Sequence, residues 1–194
     1  MFAAGCAILD SYPLEVALIL FGTGHRPNKL VPFDKSNPKF CYSSEVFNRL
    51  VRMAEVNLGI LKPGLVISGM ALGWDMALAQ AATNLGIQWH AYVPCIEQDC
   101  RWAYSSRMLY ANLLKMADDI HYTSRLTFTQ DTGCMQRRNV DMINASTFCL
   151  ALWDSSPGGT GNCMRVVMQR QMQSRNLWSS WVRYSGFFEP EVVG

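Results

Sequence analysis

The 194-residue sequence has no Cys-x-x-Cys pair, although it carries seven cysteines: Cys6, Cys41, Cys95, Cys100, Cys134, Cys149 and Cys163. That spacing argues against a zinc knuckle, so neither a metal nor a cofactor is expected. Several of the cysteines lie in apolar runs, where a reduced thiol behaves as a small hydrophobe, and this fits a reducing compartment. Basic runs are also lacking beyond the pair Arg137 and Arg138, and the net charge is only +2. A balance so close to neutral gives no reason to expect a nucleic-acid or membrane surface. No apolar run is long enough to span a bilayer. No Lys or Arg precedes Asp10, which makes the N-terminus a poor signal peptide. The expectation is a soluble, cytoplasmic protein.

Charged residues make up 16% of the chain and apolar ones 49%, enough for a sizeable core. The length suits one compact domain over residues 1–194, with a C-terminal arm at about 177–194. Apolar runs alternate with helical spacings along the chain. Residues 16–21, 64–68, 87–94, 119–122 and 147–152 read as strands, and "LWSSWV" at 177–182 as a last one. A helix follows Ser43 or Ser44, either of which caps it, and ends at Gly59. An Ala-rich helix from Trp74 closes at Gly86, and further helices cover 104–116, 135–145 and 162–173. Strands that alternate with helices, and are apolar almost throughout, indicate an α/β sandwich of three layers around a mostly parallel sheet. His90 and His121 fall inside strands and read as core or edge residues. The one long polar loop, at about 22–42, is expected to be functional or mobile. The tail "YSGFFEPEVVG" reads as a docking strand or an edge-covering arm.

In such sheets ligands bind outside the carboxyl ends of the strands. Those ends carry the unusual residues. After the first strand come Gly22, Thr23, Gly24, His25 and Arg26; after the second, Ser68, Gly69 and Asp75. The third is followed by Glu97, Asp99, Arg101 and Trp102, the fourth by Arg137, Arg138 and Asn139. After the fifth come Asp154 and the loop residues Gly158, Gly159, Thr160 and Gly161. Each has a structural use as well as a chemical one. The glycines make turns, Asp75 suits the first turn of a helix, and Trp102 fills a core. Together they supply what a nucleotide asks for: Arg and backbone N–H donors for phosphate, carboxylates for ribose, an aromatic face for a base.

The segments "GTGHRPNKL", "VISGMALGWDMALAQAA", "PC-x-x-Q-x-C-RW", "MQRRN-x-x-M" and "LALWD-x-SPGGTGNC" resemble the SLOG superfamily, in its YspA/YpsA-like branch common in bacteria and phages. The resemblance runs in order from about residue 18 to 172. It implies a Rossmann-like sheet, a nucleotide or nucleotide-derived ligand, and a homo-oligomer. The superfamily also holds the DNA-processing protein DprA and LOG-type phosphoribohydrolases. The LOG pattern continues after the glycines with a Thr and, three positions on, a catalytic Glu; here Asn162 and Arg165 stand there. A cation cannot replace that acid, so Glu97, Asp99 or Asp75 would have to carry any cleavage of an N-glycosidic bond. The alternative is a non-catalytic sensor or sequestering module for a nucleotide signal. DNA as a partner is set aside on charge.

Overall fold

A computed structural model describes residues 17–32 and 35–188. Six strands form one wholly parallel sheet in the order β4-β3-β2-β1-β5-β6. The strands are β1 (Ile19–Gly24), β2 (Leu65–Ser68), β3 (Trp89–Val93), β4 (Asp119–Tyr122), β5 (Phe148–Leu152) and β6 (Gln173–Asn176). The helices are α1 (Ser44–Leu61), α2 (Trp74–Leu85), α3 (Tyr104–Met116), α4 (Cys134–Asn144), α5 (Gly159–Gln169) and α6 (Trp178–Tyr184).

Side chains alternate across the pleat, and this divides the core in two. Leu20, Val66, Trp89, Ala91, Leu150 and Leu152 face the layer of α1, α2, α3 and α6. Phe21, Ile67, Cys149 and Ala151 face α4 and α5. The result is the three-layer α/β sandwich expected from the pattern, Rossmann-like as the resemblance implies. Strands β1, β2 and β5 sit in the middle and are mostly buried, whereas all of β4 and β6 is exposed at the two edges.

Three local expectations are corrected. Helix α1 does not stop at Gly59. It runs to Leu61 and ends where Lys62 adopts the left-handed conformation (φ 47°), just before Pro63, which cannot continue it. Helix α5 starts at Gly159, three residues earlier than the apolar spacing indicates. The stretch 177–182 is not a strand. Leu177 and Trp181, one helical turn apart, are both buried, and the Trp181 indole N–H donates to the Leu30 carbonyl at 2.6 Å. In the tail, Phe187 packs on Phe40 and Trp181, and Phe188 on Trp178, without forming a strand within residues 185–188. The rest of the tail, and Val16 of the first expected strand, lie outside the described residues.

Ser43 caps α1: its Oγ accepts from the Val46 N–H at 3.4 Å. The bond is long, so Ser43→Ala should lower the unfolding free energy by only about 0.5–1 kcal/mol, read by urea denaturation. A loss above about 2 kcal/mol would mean that Ser43 does more than cap.

Candidate functional site

The sheet order sets where a crevice opens. From β1 the chain moves outward through β2, β3 and β4, then returns to the other flank of β1 with β5. The loops leaving β1 and β5 therefore diverge at a topological switch point. Side chains lash these loops together. His25 is 4% exposed, and its Nε2 lies 2.5 Å from Asp154 Oδ1. Asp154 Oδ1 also accepts from the Ser156 N–H at 2.8 Å. Lys29 Nζ donates to Ser156 Oγ at 2.8 Å, and Thr160 Oγ1 donates to the Gly24 carbonyl at 2.9 Å. Burial pushes the His25 imidazole below its ordinary value despite Asp154. Burial also works against ionised Asp154. Hydrogen bonds from Ser156 and His25 outweigh it and bring the carboxyl to about 2.

The glycine loop rises from this lashing. Gly158 has φ 142°, which L side chains rarely adopt, and no side chain caps the first turn of α5. Space above Gly158 and Gly159 is open, while a Cβ on Gly161 would meet the Ser156 carbonyl at 2.9 Å. With Gly158 and Gly159 exposed, the N-terminus of α5 turns the positive end of its dipole outward.

A cleft of about 1010 Å³ lies over the carboxyl ends of β2, β3 and β4. Among the described residues, Arg26, Lys39 and Arg101 line it as cations, Glu97 as its one carboxylate, Gln98 as an amide. Tyr42, Trp102 and Phe128 supply aromatic faces. The walls are fastened to one another. Ile96 pairs with Thr127 in an isolated bridge, joining the loops after β3 and β4. Gln98 Nε2 donates to the Met70 carbonyl, in the loop after β2, at 2.7 Å. Glu97 is held at φ 58°, a conformation costly for a residue with a side chain, and Cys100 N–H donates to its carbonyl at 3.0 Å.

The remaining expected residues serve the interior or the surface. Gly22 and Gly24 face α2, not solvent: a Cβ would come 2.4 Å from Leu78 Cδ2 and 2.5 Å from Trp74 Cβ, respectively. Thr23 is buried between β1 and α5. Asp75, 4% exposed, sits 3.4 Å from Arg138 Nη1, and the same guanidinium donates to the Gly69 carbonyl. A Cβ on Gly69 would lie 1.6 Å from that nitrogen, so the glycine makes room for the arginine. Ser68 Oγ donates to the Asp75 carbonyl at 2.7 Å, and Asn139 is buried beside the brace on α4. Burial raises the Asp75 carboxyl to about 6 against the pull of Arg138. Asp99 is held by Arg107 Nε at 3.2 Å, and Arg137 pairs with Asp131 at the surface.

The expected residues therefore fall into a cleft group (Arg26, Glu97, Arg101, Trp102), a switch-point group (His25, Asp154 and residues 158–161) and a buried group beneath. Residues 158–161 do not line the cleft. Lys39, Tyr42 and Phe128, which do, were missed. They belong to no motif, although Lys39 and Tyr42 lie in the long loop expected to be functional or mobile.

A family model described as the YspA SLOG family matches residues 20–185. The chain belongs to that family. Among similar sequences, the SPbeta prophage-derived protein YoqJ of Bacillus subtilis is 30% identical over 127 residues, 58% of this chain and 73% of that protein. A UPF0398 protein of Halalkalibacterium halodurans is 24% identical over 160 residues, 78% of this chain and 80% of that one. The fold of the YspA SLOG chain is shared with DNA processing protein A. The Streptococcus pneumoniae structure matches at TM-score 0.51 and 13% identity, over 82% of this chain and 50% of that one. The Helicobacter pylori structure matches at TM-score 0.56 and 16% identity, over 82% of this chain and 65% of that one. The description of the latter concerns a unique single-stranded DNA binding mode. Among the described residues no helix is long and apolar enough to cross a membrane.

Proposed function

We propose that the protein binds a nucleotide or nucleotide-derived ligand at the carboxyl edge of its sheet. The observation that carries this reading is the meeting of Arg26 from the loop after β1, of Glu97, Arg101 and Trp102 from the loop after β3, and of Phe128 from the loop after β4, around one cleft of about 1010 Å³. That is ample for a nucleotide. In this reading Arg26 and Arg101 take phosphate charge, with the open α5 N-terminus as a further anion site. Trp102 and Phe128 face the base.

If the protein is an enzyme, Glu97 carries the chemistry, because Asp75 is buried in an ion pair and Asp99 is tied to Arg107. Water adds to C1′ of the ribose as the C–N bond breaks, and the base departs with a proton. The Glu97 carboxylate activates that water or stabilises the positive charge developing on the sugar. The second reading, a binder without turnover, is favoured by α5 itself. Arg165, where LOG-type enzymes keep their acid, hydrogen-bonds Asn162 Oδ1 at 3.0 Å. A homo-oligomer is part of the proposal, since edge strand β4 leaves Ile120 and Tyr122 more than a third exposed; light scattering on the purified chain reads it.

The test is calorimetric titration with AMP and NAD, with chromatography for free base. Arg26→Ala and Arg101→Ala should each weaken binding about 10-fold or more, the loss of a charge-assisted bond. Glu97→Gln should keep binding and lose any base release. Binding without release in the wild type selects the sensor reading. No binding at millimolar ligand, with a gel shift of single-stranded DNA at physiological salt, would replace both readings with a DNA-binding role.

A further inference from the structure

A second, smaller chamber of about 310 Å³ adjoins the cleft. Tyr42, Ser43, Leu72, Ser105 and Ser106 line both spaces, so the two share a mouth. Past that mouth the lining changes character. Val46 and Leu50 come from α1, Met76 from α2 and Leu109 from α3. Val46, Leu50 and Met76 are each 1% exposed, core residues that border a void where a neighbour would ordinarily pack. Interiors fill such space, and an apolar void lacks the polar partners that ordered water needs. An apolar group would complete this packing.

The mouth has the opposite chemistry. Ser43 and Ser44 bring the N-terminal turn of α1 to it, and Ser105 and Ser106 bring that of α3. Two positive dipole ends thus converge at one opening. On the cleft side, three cations stand against one carboxylate among the described residues. An anion at the mouth and an apolar group in the chamber would satisfy both surroundings at once.

We propose that the ligand of this site is amphiphilic: an organic phosphate whose other end carries an alkyl or aryl group that enters the chamber between α1, α2 and α3. The proposal rests on the reading that the cleft binds an anionic ligand, and it names the class of that ligand. The chamber, not the cleft, selects for the apolar group.

Titration calorimetry of the full chain with a series of n-alkyl phosphates, methyl to hexyl, separates the two claims. Affinity should rise about fourfold per methylene, the gain from burying each CH₂, and level off when the chamber is full. Leu109→Trp, which fills the chamber, should bring hexyl phosphate down toward the affinity of methyl phosphate. Leu109→Ala, which enlarges it, should move the plateau to a longer chain, and circular dichroism checks that both variants fold. A wild-type series with no dependence on chain length, a dependence unchanged in folded Leu109→Trp, or no binding of any member overturns the proposal. AMP binding with a flat series removes this proposal and leaves the nucleotide reading. A rising series without AMP binding removes the nucleotide reading and leaves this one.

Discussion

Arg138→Met should lower the unfolding free energy by about 3–5 kcal/mol at pH 8, the loss expected when one partner of a buried ion pair is removed. Arg138 and Asp75 are 6% and 4% exposed, and Arg138 is the closest cation to that carboxylate, at 3.4 Å. Methionine keeps much of the volume but leaves the carboxylate in a dry interior. The loss should depend on pH. In the folded wild type the Asp75 carboxyl stands at about 6, raised by burial from 3.8 and held there by Arg138. A raised carboxyl binds its proton more tightly in the folded state than in the unfolded one. Folding therefore gains as pH falls from above 6 toward 4, by about 3 kcal/mol at 1.36 kcal/mol per pK unit. Without Arg138 the carboxyl rises further, so the defect is full at pH 8 and shrinks at pH 5. Asp154 acts with the opposite sign. Its carboxyl is lowered from 3.8 to about 2, so its contribution is present above pH 4 and fades as pH falls through 2. Urea denaturation at pH 5 and pH 8 reads the difference. The same loss at both values would show that Asp75 is not charged against Arg138, and Asp75→Asn with Arg138→Met should recover part of the stability.

Trp74→Ala should cost about 3–5 kcal/mol, because Trp74 is fully buried where α2 crosses the sheet. Its indole N–H donates to the Leu150 carbonyl at 3.1 Å, so the change also strips a bond from the central strand β5. Trp74→Phe, which keeps most of the volume, separates the packing loss from the bond. Gly24 belongs to the same contact. Gly24→Ala would bring a Cβ 2.5 Å from Trp74 Cβ, and should cost about 1–3 kcal/mol by forcing α2 away from β1. Alanine at 74 keeps that Cβ, so the double variant should not be rescued. Gly22→Ala differs. Its nearest contact is the tip of Leu78 at 2.4 Å, and Leu78→Ala should relieve it. Thermal and urea unfolding of these variants check the series. A Gly24→Ala chain as stable as the wild type would mean that α2 is free to shift.

The repeating architecture was legible because β1, β2, β3 and β5 are apolar runs and α2 ends on a glycine in the left-handed conformation. Helix α3 and strand β4 were read at their observed bounds. Strand β6, Gln173–Asn176, has no apolar residue and is exposed throughout, so it carries no periodic signal. Only its pairing with β5 makes it a strand. The chemistry-bearing residues could be gathered to one edge from the strand ends alone. Their division between cleft, switch point and interior could not. Asp75 and Arg138 are 63 residues apart, His25 and Asp154 129 apart, and nothing local marks either pair. Gly22, Gly24 and Gly69 resemble ligand-loop glycines in sequence. Each instead lacks a side chain because a neighbour, Leu78, Trp74 or Arg138, occupies that place.

Strand β1 lies at the centre of the sheet, yet β5, which closes its second flank, enters only in the last third of the chain; the Ile19 N–H to Thr147 Oγ1 bond spans 128 residues. Ribosomal synthesis must therefore deliver most of the polypeptide before this strand has both neighbours. A nascent chain arrested after β4 would display β1 as a bare apolar edge, and prompt chaperone capture is the expected fate of such a fragment.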